Sequence, residues 1–209
     1  MATKTEELDD VYGAKSPDET RRIYNRWSES YDADNLSRGF RLPPVGAGLL
    51  ARHLGPADGP VLDAGCGTGL AGEALKILGY ERLIGCDLSP DMLSAAQRTG
   101  AYAELHEADL GKPLPFAADH FAGFICVGSF GPGHAPPISL VHLAHVTRSG
   151  GYGVFNLIEA TFADQGFPPV MAGLESSGAW EIVQRTEPFL PFLLGEPDLW
   201  TRAYVVRMR

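Results

Sequence analysis

Apolar residues along this chain of 209 residues fall into two rhythms, and their alternation predicts the fold. Ser16-Pro17-Asp18-Glu19 has the form of a helix start, with Ser16 as N-cap, Pro17 in the first turn and Glu19 closing a capping box. Ile23, Trp27 and Tyr31 follow at spacings of four, with Tyr24 beside Ile23, and share one helical face. Pro43-Pro44 opens a second helix, in which Val45, Leu49, Leu50 and Leu54 keep the helical period until Gly55-Pro56. Strands and helices then alternate. A strand begins at Val61 and a helix spans 69–78; a strand covers 82–86, and a helix runs from Ser89-Pro90-Asp91 to Gly100. Another strand covers 102–107, and the unbroken apolar run 121–127 suits a central strand buried on both faces. A helix from Pro137 ends at Ser149-Gly150-Gly151, and a fifth strand covers 152–158. The tail differs: 179–190 and 199–208 read as strands joined by Gly195-Glu196-Pro197-Asp198, hence a hairpin. Residues 1–15 are polar and acidic and are expected to fray.

Five strands interleaved with helices through short turns predict a doubly wound α/β fold whose parallel sheet is covered on both faces. In such sheets ligands sit outside the carboxyl ends of the strands. The chain divides on this reading into an N-terminal helical lid or cap, 1–55, and an α/β domain, 56–209.

Composition narrows the partners. Hydrophobic residues make up 44% of the chain, enough for a sizeable core, and no run reaches the length of a membrane span. The amino terminus lacks the apolar segment of a signal peptide, so a cytoplasmic setting is expected. A formal charge of −9 disfavours a polyanion, because nucleic-acid binding relies on neutralising phosphates. A small-molecule partner is expected, with no nucleic acid and no membrane. Cys66, Cys86 and Cys126 lack metal-ligand spacing and read as small buried residues in a reducing compartment; no metal is expected.

The chemistry concentrates at Val61-Leu62-Asp63-Ala64-Gly65-Cys66-Gly67-Thr68-Gly69, a strand running into a glycine turn and then a helix. A turn against which a ligand lies cannot carry Cβ atoms there, and a helix start directs free N–H groups at that ligand. The dinucleotide fingerprint requires a third glycine where Leu70 stands, and no Lys-Ser or Lys-Thr follows. Asp63, two residues before the first glycine, would repel a pyrophosphate but suits an ammonium group. These features point away from NAD and towards S-adenosylmethionine, which carries an ammonium and a sulfonium.

The segment resembles the first motif of class I S-adenosylmethionine-dependent methyltransferases, and further motifs follow in order. Gly85-Cys86-Asp87-Leu88-Ser89-Pro90-Asp91-Met92-Leu93 looks like the family's second-strand end, and Glu107-Ala108-Asp109-Leu110 like its third. The amino-terminal run and Gly133-His134-Ala135-Pro136-Pro137 are similar to the Williams–Beuren-region methyltransferase-like type. The resemblance implies a mostly parallel seven-stranded sheet with an antiparallel C-terminal hairpin. It also implies S-adenosylmethionine as cofactor. The residues expected to bind it are Asp63, Gly65, Cys66, Gly67, Thr68 and Gly69 in the first motif. Asp87, Leu88, Ser89 and Met92 follow in the second, with Asp87 on the ribose hydroxyls. Ala108, Asp109 and Leu110 would lie at the adenine, Asp109 on its amino group, and Val127 at the fourth strand end. Trp27 and Tyr31 either belong with the rest of their aromatic stripe to the core or fold over the site as a lid, their aromatic faces suited to a sulfonium.

Methyl transfer needs positioning more than a catalytic triad, and no residue is assigned a catalytic role. Val127-Gly128-Ser129-Phe130 stands where amide and exocyclic-amine methylases carry Asp-Pro-Pro-Tyr or Asn-Pro-Pro-Tyr, which lowers the odds of those substrates. His134 is the titratable group best suited to a base, if one is used, and a structural loop histidine otherwise. Arg38 and Arg41 either meet the cofactor carboxylate or face solvent. Phe162, Phe167, Met171 and Trp180 are candidates for the acceptor wall or for core. The expected function is methyl transfer to a small molecule. Turnover-free binding of the cofactor or its demethylated product, and nicotinamide-dependent oxidoreduction, stand as alternatives.

Overall fold

Alternating apolar side chains on short strands build the sheet. The computed structural model describes residues 6–194 and 199–209. Four helices come first: α1 (Glu6–Gly13), α2 (Pro17–Trp27), α3 (Tyr31–Ser37) and α4 (Leu42–Ala51). There follow β1 (Val61–Ala64), α5 (Leu70–Ile77), β2 (Leu83–Asp87), α6 (Pro90–Thr99), β3 (Glu104–Glu107) and β4 (Phe121–Cys126). The chain closes with α7 (Ser139–Val146), β5 (Thr147–Ile158), α8 (Phe167–Ser176), β6 (Trp180–Arg185) and β7 (Thr201–Met208). The seven strands run in the order β3-β2-β1-β4-β5-β7-β6, with β7 antiparallel to both of its neighbours and the first five parallel. The topological switch lies between β1 and β4, where a ligand crevice is expected.

Successive residues on a strand point to opposite faces. Leu62, Ala64, Ile84, Phe124, Cys126, Phe155 and Val206 form one core with α7 and α8, containing Leu140, Phe167, Met171 and Trp180. Val61, Leu83, Ile125, Val154 and Val205 form the other with Leu49 and Leu50 of α4 and Leu75 of α5. Both faces of the central strands are therefore apolar, the pattern of a sheet covered on both sides.

Several boundaries differ from the sequence expectation. The segment expected to fray holds α1, because Leu8 and Val11 place one apolar turn against the rest of the molecule and both are buried. Only that one turn carries the pattern, too little for periodicity to reveal. The helix bearing Ile23 ends at Trp27, and Tyr31 begins the next one. Asp34 draws the break together, accepting from the Trp27 indole N–H at 2.8 Å and from the Ser30 hydroxyl at 2.7 Å. β5 starts at Thr147 rather than 152, since a bulge with Gly150 at φ 75 carries the strand through the residues expected to end a helix. β6 stops at Arg185 rather than 190. Residues 189–192 instead turn towards the N-terminal helices, with Phe192 bridging Phe40 and the Arg41 N–H donating to the Pro191 carbonyl. The joining residues 195–198 lie outside the described residues. Finally α4, drawn above with the cap, packs on the sheet beside α5, so the helices over the strand ends are α1 to α3.

Candidate functional site

Three aspartates stand at the carboxyl ends of three adjacent strands, around one cavity of about 430 Å³. Asp63 leaves β1 and is buried; it accepts from the Tyr102 hydroxyl at 2.6 Å. Burial pushes its carboxyl up to about 7, with the Asp87 charge adding to the effect and the Tyr102 hydrogen bond opposing it. Asp87 closes β2. One of its oxygens accepts the Gly67 N–H and the other the Ser89 N–H, each at 2.9 Å. Burial raises its pKa, and those backbone donors pull it back. Asp109 lies beyond β3, where it accepts the Gly111 N–H at 2.9 Å and pairs with Lys112 at 3.4 Å.

The glycines divide the work between packing and space. Gly65 has φ 71, and a Cβ there would run into Ser129. Gly69, at φ 103, caps α5 and faces Ala96, Thr99 and Tyr102, which leaves no room for a side chain. Gly67, at φ 53, is different: a Cβ would meet nothing within 4 Å. The cradle is open at Gly67.

α2 and α3 cross over these loops and are tied to them by polar contacts. Thr20 donates to the Gly133 carbonyl at 2.8 Å, Ser89 donates to Asn25 at 2.6 Å, and Thr68 donates to Asp32 at 2.5 Å. Arg21 pairs with Glu107 at 3.5 Å. Tyr24 Oη lies 2.8 Å from His134 Nε2, while His134 Nδ1 donates to the Pro132 carbonyl at 2.7 Å. Gly133 has no side chain because α1 reaches it: an added Cβ would strike the Val11 carbonyl.

Of the sixteen residues expected at the cofactor, Tyr31, Asp63, Gly65, Cys66, Gly67, Thr68, Asp87, Leu88, Met92, Ala108, Asp109, Leu110 and Val127 line the cavity. Three do not. Trp27 is buried in a small cluster with Leu8 and Phe192, turned away from the cavity by its bond to Asp34. Gly69 is consumed by packing against α6. Ser89 is buried, where it caps α6 by accepting the Met92 N–H at 3.1 Å and binds Asn25. The arginines are elsewhere too: Arg38 is buried over the Phe192 ring rather than solvent-facing, and Arg41 donates to the Leu190 carbonyl. Phe167, Met171 and Trp180 belong to the core, and Phe162 packs on it.

The wall is completed by residues with weaker sequence signals, among them Thr20, Tyr24, Phe40, Pro43, Ser129 and His134. Tyr24 stood one step off the aromatic stripe, and Phe40 and Pro43 carried no motif. All three cysteines are buried and free, and burial pushes each thiol up, Cys86 to about 12, so they stay protonated. Among the described residues no metal-binding cluster occurs, and no helix is long and apolar enough to cross a membrane.

Among the described lining residues Lys15 is the cation, and it is exposed. The buried Asp63 and the half-buried Asp87 have neutral hydrogen-bond donors for partners. Such a site favours a ligand that brings positive charge, and a pyrophosphate would meet uncompensated carboxylates. The donor set and the open face at Gly67 thus fit S-adenosylmethionine.

Comparison with known proteins agrees. Residues 61–151 match the family model described as "Methyltransferase domain". The matched segment has the sequence of a methyltransferase domain. Human methyltransferase-like protein 27 is 36% identical over 140 residues, 65% of this chain and 57% of that relative. The yeast 18S rRNA (guanine(1575)-N(7))-methyltransferase is 36% identical over 69 residues, 33% of this chain and 25% of the other. The chain spans under two thirds of the length of either relative. A SAM-dependent methyltransferase from Thermotoga maritima superposes with a TM-score of 0.64 at 16% identity, covering 90% of this chain and 99% of that one, a likeness of fold.

Proposed function

We propose that the protein transfers the methyl group of S-adenosylmethionine to a small organic acceptor held beneath the α1–α3 cap. The observation that carries this reading is the cavity of about 430 Å³, with its side-chain-free face at Gly67, its carboxylates from three strand ends and a cap hydrogen-bonded across it. In this reading Asp63 takes the ammonium and Asp87 the ribose hydroxyls. Asp109, with Ala108 and Leu110, receives the adenine, and Tyr31 closes over the sulfonium.

The cofactor, when bound, supplies a methyl group already activated by a positive sulfur. The protein's part is to bind, orient and exclude water, and holding two reactants in line accounts for much of the acceleration such reactions need. The cap serves that purpose, since it covers the strand ends. An acceptor of modest size is favoured over a structured RNA because the covered cavity is small and the chain carries a formal charge of −9.

Calorimetry with S-adenosylmethionine, S-adenosylhomocysteine and NADH tests the cofactor. The first two should bind and NADH should not; the reverse order would refute the reading. Labelled methyl from S-adenosylmethionine, offered with a cell extract, should then enter the small-molecule fraction. Label recovered in RNA would overturn the acceptor class, and binding without any transfer would make the protein a cofactor-binding module.

A further inference from the structure

We infer that Tyr24 and His134 form a proton-accepting relay on the cavity wall, and that the acceptor they serve is a small phenol. The inference rests on the methyl-transfer reading above and names its substrate class.

Hydrogen-bond direction carries the argument. A carbonyl only accepts, so the 2.7 Å contact between His134 Nδ1 and the Pro132 oxygen places the imidazole hydrogen on Nδ1. Nε2 is left with a lone pair, and Tyr24 Oη, 2.8 Å away, must donate to it. The chain therefore runs one way, from Tyr24 through His134 to Pro132. With its own hydrogen committed, Tyr24 offers a ligand lone pairs alone. A ligand group meeting that oxygen has to bring a hydrogen of its own.

Tyr24 and His134 both line the cavity, and with Tyr31 and Phe40 they give this wall an aromatic, uncharged surface. Asp32, the cap carboxylate nearest the glycine turn, is engaged by Thr68. The charge of Asp87 reaches Tyr24 and Tyr31, but its oxygens are engaged by the Gly67 and Ser89 N–H groups, so a neutral hydroxyl suits the Tyr24 oxygen better than an ammonium. Burial lowers the His134 pKa, and the ring is neutral and ready to accept. A weak base of this kind does not reach an aliphatic hydroxyl, which like water holds its proton far more tightly than a phenol does. A phenol, at about 10, is within range of assistance as the new bond forms.

The step balances. The phenol oxygen forms a bond to the methyl carbon while the carbon–sulfur bond breaks, its electron pair staying on sulfur to give a neutral thioether. The phenol proton passes to Tyr24 Oη as the Tyr24 proton passes to His134 Nε2, and the imidazolium later returns it to solvent.

The full-length protein with S-adenosylhomocysteine and 4-nitrophenol provides the test. At a pH where the free probe is the neutral phenol, its absorption should shift on binding as its hydrogen is given to the Tyr24 oxygen in a hydrogen bond. The 15N signals of His134 should show a neutral ring with its hydrogen on Nδ1 and Nε2 as the acceptor. Tyr24→Phe and His134→Gln should still bind the probe, Tyr24→Phe without the absorption shift; glutamine keeps an acceptor for Tyr24 and so preserves a merely structural role. With S-adenosylmethionine, kcat for forming 4-nitroanisole from 4-nitrophenol should fall by about a hundredfold or more in both variants, the KM for 4-nitrophenol changing little. An imidazole hydrogen found on Nε2, a probe that does not bind, or a His134→Gln enzyme as active as the wild type would each overturn the relay. Calorimetry on the same samples keeps the two readings apart: cofactor binding that persists leaves methyl transfer standing, and its loss in the wild type removes both.

Discussion

At Asp63 the protein holds a carboxylic acid in a place that disfavours its charge. Burial, reinforced by Asp87 and opposed by Tyr102, sets its pKa at about 7 against an ordinary 3.8. The raised value means that the folded, ligand-free protein binds this proton more tightly than the unfolded chain. Stability should therefore fall as pH rises from about 4 to about 7, and level off on either side. Ligand binding has the opposite slope, because an ammonium prefers the ionised carboxylate. Affinity for S-adenosylmethionine should rise about tenfold per pH unit up to 7 and then flatten, whereas Asp63→Asn should bind weakly with no such slope. Calorimetry between pH 5 and 8 decides; a flat wild-type profile would remove Asp63 from the ammonium site. Gly67 gives a second residue-scale test. Valine there would fill the open face and adopt a left-handed φ of 53 at a cost of roughly 1–3 kcal/mol. Gly67→Val should remain folded by circular dichroism yet lose detectable cofactor binding, and retained affinity would mean that the ligand lies elsewhere.

Elements act here through the cap. α2 and α3 hold the loops after β1, β2 and β3 by Asp32–Thr68, Asn25–Ser89 and Arg21–Glu107. The exposed ion pair contributes little, while Ser89 is fully buried and loses its acceptor if Asn25 is shortened. An unsatisfied buried hydroxyl costs about 1–3 kcal/mol. The double variant Asn25→Ala, Asp32→Ala should thus release bound S-adenosylhomocysteine about tenfold faster or more, with the sheet intact. Stopped-flow dissociation reads this directly, and an unchanged off-rate would show that the cap does not hold the ligand. The polar latch was not visible in the sequence, because each pair joins residues more than thirty positions apart. The helices themselves were visible: Ser16 and Ser89 cap α2 and α6 as their Ser-Pro-Asp starts indicated.

On the scale of the whole molecule, the cap has a small core of its own, with Leu8, Trp27 and Phe192 at its centre, separate from the two that sandwich the sheet. Deleting residues 1–30 should accordingly leave a cooperatively folded sheet with a lower Tm and cofactor affinity reduced by an order of magnitude or more. A deletion variant that is molten by near-ultraviolet circular dichroism would mean that the aromatic stripe is integral core. Strand periodicity, the glycine turn and the strand-end acids are local features, fixed by backbone sterics and side-chain alternation within a few residues. They were enough to give the parallel sheet, its antiparallel last strand and most of the cavity wall. Trp27 and Phe167 show the limit: an aromatic residue reads the same whether it faces a cavity or a neighbouring helix, and burial decides between them only once the elements have docked. The direction of the Tyr24–His134–Pro132 chain, the room at Gly67 but not at Gly69, and the burial that lifts Asp63 all depend on atoms brought together from distant parts of the chain. The sequence by itself determined the fold class and the cofactor; tertiary packing decided which side chains reach the cavity and in what protonation state.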